Sequence, residues 1–151
     1  MRVIKLTRND PECWSIMPQV LERLAKFCTE LDTETEPWEP VELVRTWFAM
    51  GEPKLALWVV VDKEGVLHGH LWATPEPLGV DKVKYVLIRQ ASIDKHVNIR
   101  DTSKEVFDSL KEWSRSIDVH RIVMLTHRKW TLMQRRWGFI PRKVLMDLHF
   151  D

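Results

Sequence analysis

The sequence has 151 residues, 44% of them hydrophobic and 30% charged, with a formal net charge of +1. That length and balance describe one core-forming domain spanning 1–151 and exclude a disordered chain. The near-neutral charge gives no global basic field for nucleic acid, and no apolar run reaches the ~18 residues of a membrane span.

Residues 2–6 (RVIKL) read as a short strand. From Pro11 to Leu31, Met17, Val20, Leu21, Leu24, Phe27, Cys28 and Leu31 recur at helical spacing, so a helix is expected, regular from about Pro18 onward. TETEPWEP is an acidic, proline-punctuated loop. Pro40 then opens a second helix, VELVRTWFAM, which Gly51 ends. KLALWVVVD is an apolar strand, DKEG a turn and VLHGHLWA the returning strand of a hairpin, broken by TPEPLG. VKYVLIRQASI is a third long strand. Thr102 to Ile117 reads as a helix, with Val106, Leu110, Trp113 and Ile117 on one face. RIVMLT is a strand, Arg128 to Trp137 a short helix ended by Gly138, and FIPRKVLMDLHF one or two final strands. The order β-α-α-β-β-β-α-β-α-β predicts an α/β (α+β) domain: a mixed, mostly antiparallel central sheet with helices on both faces.

The N-terminal MRVIKLTRND lacks the apolar segment of a signal peptide. Cys13 and Cys28 form no CxxC, which argues against a zinc cluster or a disulfide framework and for a reducing, cytoplasmic setting. Eight tryptophans are unusual for this length. Five fall on segments that read as buried, so most are expected in the core. His68 and His70 lie two apart on one strand and would share a face. No third ligand has a matching place, so no metal site is expected. His120 and His149 read as structural. None of the catalytic motifs GxSxG, HExxH, Walker A or GxGxxG is present.

Three segments in this order resemble the GCN5-related N-acetyltransferase (GNAT) family over nearly the whole chain. DKEGVLHG (62–69) is similar to the family's second hairpin. VKYVLIRQASI with the following helix is similar to its third long strand and central helix. MQRRWGFIPRKVLM (133–146) is similar to its C-terminal signature. The resemblance implies acetyl-CoA in a gap between the third long strand and the strand after the helix, beside Val86, Ile88 and Gln90. It also implies a pyrophosphate on a Q/R-x-x-G-x-G/A loop at that helix's N-terminus, and an Asn and a Tyr further on. Carried over, the loop falls on Asn98 to Ser103. Its glycine positions are Asp101 and Ser103, the Tyr position is Gln134, the Asn position is His127, and the small residue between them is Trp130.

The departures from that pattern carry the functional reading. Glycine lets backbone approach a phosphate closely, whereas Asp101 brings a side chain and a negative charge. Thr102-Ser103-Lys104-Glu105 reads as a capping box, Thr102 capping the helix and Glu105 reaching back, so the chain would occupy its own free N–H groups. Lys95, His96, Arg100 and Lys104 could instead hold a phosphate by side chains. Gln134 cannot protonate a thiolate, and His127 or His96 could serve in its place. Trp130 would fill the cofactor gap. His127, Arg128, Lys129, Arg135 and Arg136 with Trp130 and Trp137, followed by Arg142 and Lys143, make a basic, aromatic patch over 127–143.

The expectation is therefore a GNAT-like protein with an eroded acetyl-CoA site, non-catalytic or atypical, that contacts proteins or itself. Internal core components of short-tailed bacteriophages, which look like the same domain, are similar in size and in the lost glycines, giving the virion as a second location. The alternatives are an active acetyl-CoA-dependent N-acetyltransferase with a divergent loop, and a nucleic-acid-binding module using 127–143.

Overall fold

The computed structural model describes residues 1–30, 38–51, 54–76, 84–124 and 135–140, with the backbone alone at 28–30. In chain order the elements are β1 (Arg2–Leu6), α1 (Pro11–Glu30), α2 (Trp38–Met50), β2 (Ala56–Val61), β3 (Leu67–Glu76), β4 (Tyr85–Ile93), α3 (Ile99–Ser116) and β5 (Ile122–Met124). The five strands form one sheet in the order β1-β2-β3-β4-β5. The first three pairings are antiparallel, and β5 joins β4 in parallel. This is the mixed, mostly antiparallel sheet expected from the element order.

Strand β2 explains the layering. All six of its residues are buried, and successive side chains point to opposite faces. Leu57, Val59 and Val61 enter one core with Val20 and Leu24 of α1 and with Val44 and Phe48 of α2. Ala56 and Trp58 enter a second core with Val106, Phe107, Leu110 and Trp113 of α3. Trp58 is fully buried and donates its indole N–H to Ser109 Oγ at 2.8 Å. Its ring meets Trp113 edge-on at 5.8 Å, a favourable aromatic geometry.

Several boundaries differ from the sequence reading. Helix α1 is regular from Pro11, with Pro18 inside it. Helix α2 starts two residues before Pro40, which sits buried in its first turn. Gly51, at φ +83°, ends that helix as expected. Strand β3 does not break at Thr74: it runs on through Pro75, which pairs with Val86. Trp58, Trp72 and Trp113 are core residues, but Trp14 and Trp38 are more than half exposed. Cys28 and Leu31 lie outside the described side chains, as does most of the final helix and strand pattern after Met124; residues 135–137 are helical.

The DKEG turn and the returning glycine have separate physical reasons. Gly65 has φ +80° and no atom within 4 Å of a notional Cβ, so its constraint is conformational. Gly69 has no such φ. A Cβ there would lie 3.0 Å from the Ser92 carbonyl oxygen and 3.2 Å from Ile93 Cγ1, so the glycine sets how closely β3 and β4 approach. Gly69→Ala is expected to cost about 1–3 kcal/mol through overpacking, and Gly65→Ala about 1 kcal/mol through backbone strain. Urea unfolding of both variants checks this, and equal losses would contradict the steric assignment at Gly69.

Candidate functional site

A cavity opens where β4, α3 and β5 meet. Two bulges shape this end of the sheet. The β3–β4 register shifts between Trp72 and Ala73, whose partners are Gln90 and Ile88, leaving Arg89 as the extra residue. Arg89 turns to β3 and donates to Thr74 Oγ1 at 3.0 Å and Glu76 Oε1 at 2.6 Å. Among the described residues the β4–β5 ladder ends one position earlier, at Ile88 and Met124. A bulge bends and re-aims its strand, and the cavity lies past it. Ala91, Ser92 and Ile93 of β4 form one wall, Thr102, Val106 and Phe107 of α3 another, and Met124 and Trp137 close the side. Its volume is about 80 Å³.

The entrance to α3 is built differently from the capping box expected of Thr102 and Glu105. The helix begins at Ile99, and its N-cap is Asn98. Asn98 Oδ1 accepts the Arg100 N–H at 3.1 Å, and Asn98 Nδ2 donates to Asp101 Oδ2 at 3.1 Å. Thr102 is buried inside the first turn, and its N–H bonds the Asn98 carbonyl at 3.3 Å. The Ser103 hydroxyl donates back to the carbonyl of Ile99. The cap expected at Thr102 thus lies four residues earlier, at Asn98, and Ile99 and Thr102 both line the cavity.

The residues expected to bind a cofactor do not converge. Among the described members of that set, Ser103 lines the cavity. Val86 and Ile88 are buried in the α3-side core and paired with β5. Gln90 contacts the other layer: its Oε1 is 2.9 Å from His70 Nε2. Asn98 and Arg100 are exposed at the cap. Asp101 and Lys104 line a separate hollow on the outer side of α3 with Glu105 and Asp108. Lys104 is engaged along the helix, 2.6 Å from Asp108 Oδ2, rather than directed to its N-terminus. His127, Trp130 and Gln134 lie outside the described residues, as do Arg128, Lys129, Arg142 and Lys143 of the basic patch; Arg135 and Arg136 are exposed.

His68 and His70 have separate surroundings. The β2–β3 register shifts so that Val60 pairs with Gly69 and Val61 with Leu67, which leaves His68 as a bulge residue and interrupts the strict alternation. His70 is buried, edge-on to the Phe27 ring at 6.3 Å. Burial pushes its pKa down to about 4, with the charge of Arg23 acting the same way against the hydrogen bond to Gln90. Its Nδ1 has no hydrogen-bond partner among the described residues.

His68 instead sits between two carboxylates, with Nε2 2.8 Å from Asp62 Oδ2 and Nδ1 3.1 Å from Asp94 Oδ2. The Asp62 hydrogen bond leads in raising the His68 pKa. Burial works to raise the Asp94 carboxyl, but its bonds to Arg23 and His68 bring it below the usual value. His96 lies edge-on to His68, ring centres 5.0 Å apart. No spacing within one segment signals this grouping, since its members come from β3, the β2–β3 turn and the β4–α3 loop.

The chain superposes on solved structures named as acetyltransferases. A probable acetyltransferase superposes with TM-score 0.71 at 10% identity, over 100% of this chain and 97% of its own. A putative acetyl transferase from Pyrococcus furiosus gives 0.69 at 14% identity, over 99% of both chains. An aminoglycoside 6'-N-acetyltransferase from Acinetobacter haemolyticus gives 0.70 at 8% identity, over 100% and 99%. The chain therefore has the GNAT fold over its full length. Neither a protein-family model nor a curated protein matches the sequence. Among the described residues no helix is long and apolar enough to cross a membrane.

The neutral, buried His70 gives the domain an acid limb. A base whose folded pKa is about 4 against an ordinary 6.5 stabilises the fold fully above 6.5, and that contribution is lost as pH falls toward 4. The expected loss over that window is about 3 kcal/mol. Urea unfolding at stepped pH measures it. His70→Gln, which cannot titrate, should flatten the slope between those values while leaving the carboxylate-driven fall below them.

Proposed function

We propose that this chain is a single-domain, acetyltransferase-fold protein whose pyrophosphate-binding junction is closed by its own side chains. It acts by contacting other proteins or copies of itself rather than by standard acetyl transfer. The observation that carries this reading is the Asn98–Asp101 arrangement at α3. In a phosphate-binding helix start, bare N–H groups face the ligand and the dipole favours its negative charge. Here Asn98 Oδ1 takes the Arg100 N–H, and the Asp101 carboxylate, held by Asn98 Nδ2, supplies the negative charge itself. A pyrophosphate would have to displace that side chain and approach a carboxylate. The described residues of the junction do not fit that half of acetyl-CoA.

The surface is consistent with contact-making. Trp14, Trp38 and Met50 are more than half exposed, and tryptophan is favoured at the centres of protein interfaces. Trp14 is held ready, its indole N–H donating to the Arg8 carbonyl at 2.7 Å and its ring edge-on to Phe48 at 5.8 Å.

One observation favours the alternative of an active acetyl-CoA-dependent N-acetyltransferase with a divergent loop. The apolar cavity beside Ala91 to Ile93 has the character of a small-ligand pocket. Isothermal titration with acetyl-CoA and with CoA separates the two. The expected result is no binding heat at millimolar ligand while the circular dichroism shows a folded protein. Micromolar binding of either compound would overturn the closed-junction reading and turn attention to amine acceptors.

A further inference from the structure

Residues His68, Asp94 and His96 meet where the β4–α3 loop passes the bulge of β3. The loop is held against the strand by backbone, the Asp94 N–H donating to the His68 carbonyl at 2.8 Å and the Val97 N–H to the Asp94 carbonyl at 3.1 Å. One potential ligand atom from each of the three residues lies within 4.8 Å of the others. We propose that these three side chains bind a divalent transition-metal ion of the zinc class, with water completing its coordination.

The donor set fits that chemistry. Two imidazoles and one carboxylate suit zinc, cobalt, nickel and copper rather than calcium or magnesium, which take oxygen ligands. Zinc bonds of about 2.0–2.2 Å to nitrogen and oxygen place tetrahedral ligand atoms roughly 3.3 Å apart. His68 Nδ1 and Asp94 Oδ2 are already 3.1 Å apart. His96 is exposed, with its ring perpendicular to that of His68. Its ligand atom already lies within 4.8 Å of the other two, and its exposure leaves the outer side open to water.

The outer atoms of both inner ligands are already oriented. Asp62 Oδ2 faces His68 Nε2 at 2.8 Å, so with an ion on Nδ1 the Nε2–H would donate to Asp62. Arg23 Nη1 binds Asp94 Oδ1 at 2.9 Å and leaves Oδ2 to the ion. Metal-ligating histidines and carboxylates characteristically carry such supporting partners. The ion takes the place of the proton between His68 Nδ1 and Asp94, so binding releases it to solvent. The charged groups facing the site are Asp62, Asp94 and Arg23 from the packed elements, with exposed Lys95 in the loop.

The competing reading is a plain hydrogen-bonded cluster in which His68 is an imidazolium between two carboxylates. That cluster uses His68, Asp62 and Asp94 but has no role for His96, which makes His96 the deciding residue. A bound ion would tie it to β3 two residues before the Asn98 cap, fixing where α3 begins.

The test uses the full chain, free of any histidine tag and treated with chelator. Zn²⁺ is titrated calorimetrically, and Co²⁺ is followed by its visible absorption. The expected result is a single equivalent bound, with a rise in Tm that chelator reverses. His96→Ala and Asp94→Asn should each weaken binding by about tenfold or more. His120→Ala, at an exposed residue beside Asp118 after the end of α3, should leave it unchanged. His96 is exposed, so its variant is expected to fold even where a His68 variant does not. A folded chain that takes up neither ion, or one whose binding survives His96→Ala, overturns the proposal.

Discussion

Strand β2 has to be covered on both faces. All six of its residues are buried, and a strand that is apolar on both sides is stable only between two layers. Helices α1 and α2 precede it and cover one face. The other face must wait for α3, which follows β4. From β4, α3 can reach that face only by a crossover, and the strand after a crossover returns parallel. The parallel pairing of β5 with β4, the single departure from antiparallel order among the described strands, is thus a consequence of how β2 is buried. So is the position of the α3 N-terminus at the far end of β4, beside the cavity.

Much of this was legible because it follows from local periodicity. The apolar run at 55–61 and the 4-3-4 stepping of Val106, Leu110, Trp113 and Ile117 are each properties of one segment. Their order along the chain then leaves few topologies. What escaped the sequence reading depends on neighbours. The bulges at His68 and Arg89 are defined by a partner strand, so no spacing within β3 or β4 shows them. The same holds for Pro75, tolerated in a strand because of where it falls in the register. The start of α3 lies three residues before the expected one because Asn98 takes the cap and Thr102 is buried inside the first turn. The expected cofactor residues Val86, Ile88 and Gln90 follow from the resemblance, which places the cofactor beside the third long strand. The pleat and the bulge divide them between the β5 ladder and the α1 layer. The likeness to bacteriophage core proteins drawn from the sequence has no counterpart among the superposed structures named above.

The His68 cluster shows the same limit from the other side. Asp62 precedes the turn, His68 follows it, and Asp94 and His96 arrive more than twenty residues later. Only the hairpin register and the following loop make them neighbours. Their arrangement also explains a local asymmetry in the sheet. The Gly69 position, next to His68, permits the β3 backbone to approach Ser92 and Ile93 closely. That approach sets Asp94 against His68. Arg23 reaches the same place from α1 and bonds both Ser92 and Asp94. The end of β4 is thereby tied to the α1 layer by charge.

Under the closed-junction reading proposed above, residues 98–103 do more than omit glycine. A glycine loop leaves N–H groups for a ligand to satisfy, and without the ligand those groups depend on water. Asn98 and Asp101 satisfy part of that need within the chain, and an acid in the first turn of α3 is favourable to the helix dipole with or without a partner. Such a junction is stable by itself, and an anion competing for it would have to overcome both terms. The cavity nearby is independent of that exchange. It arises from the Arg89 bulge and the divergence of α3 from β4, which the chain requires to seat the helix on β2. On the proposed reading, the fold would keep the outline of an acyl-cofactor site for reasons of packing alone.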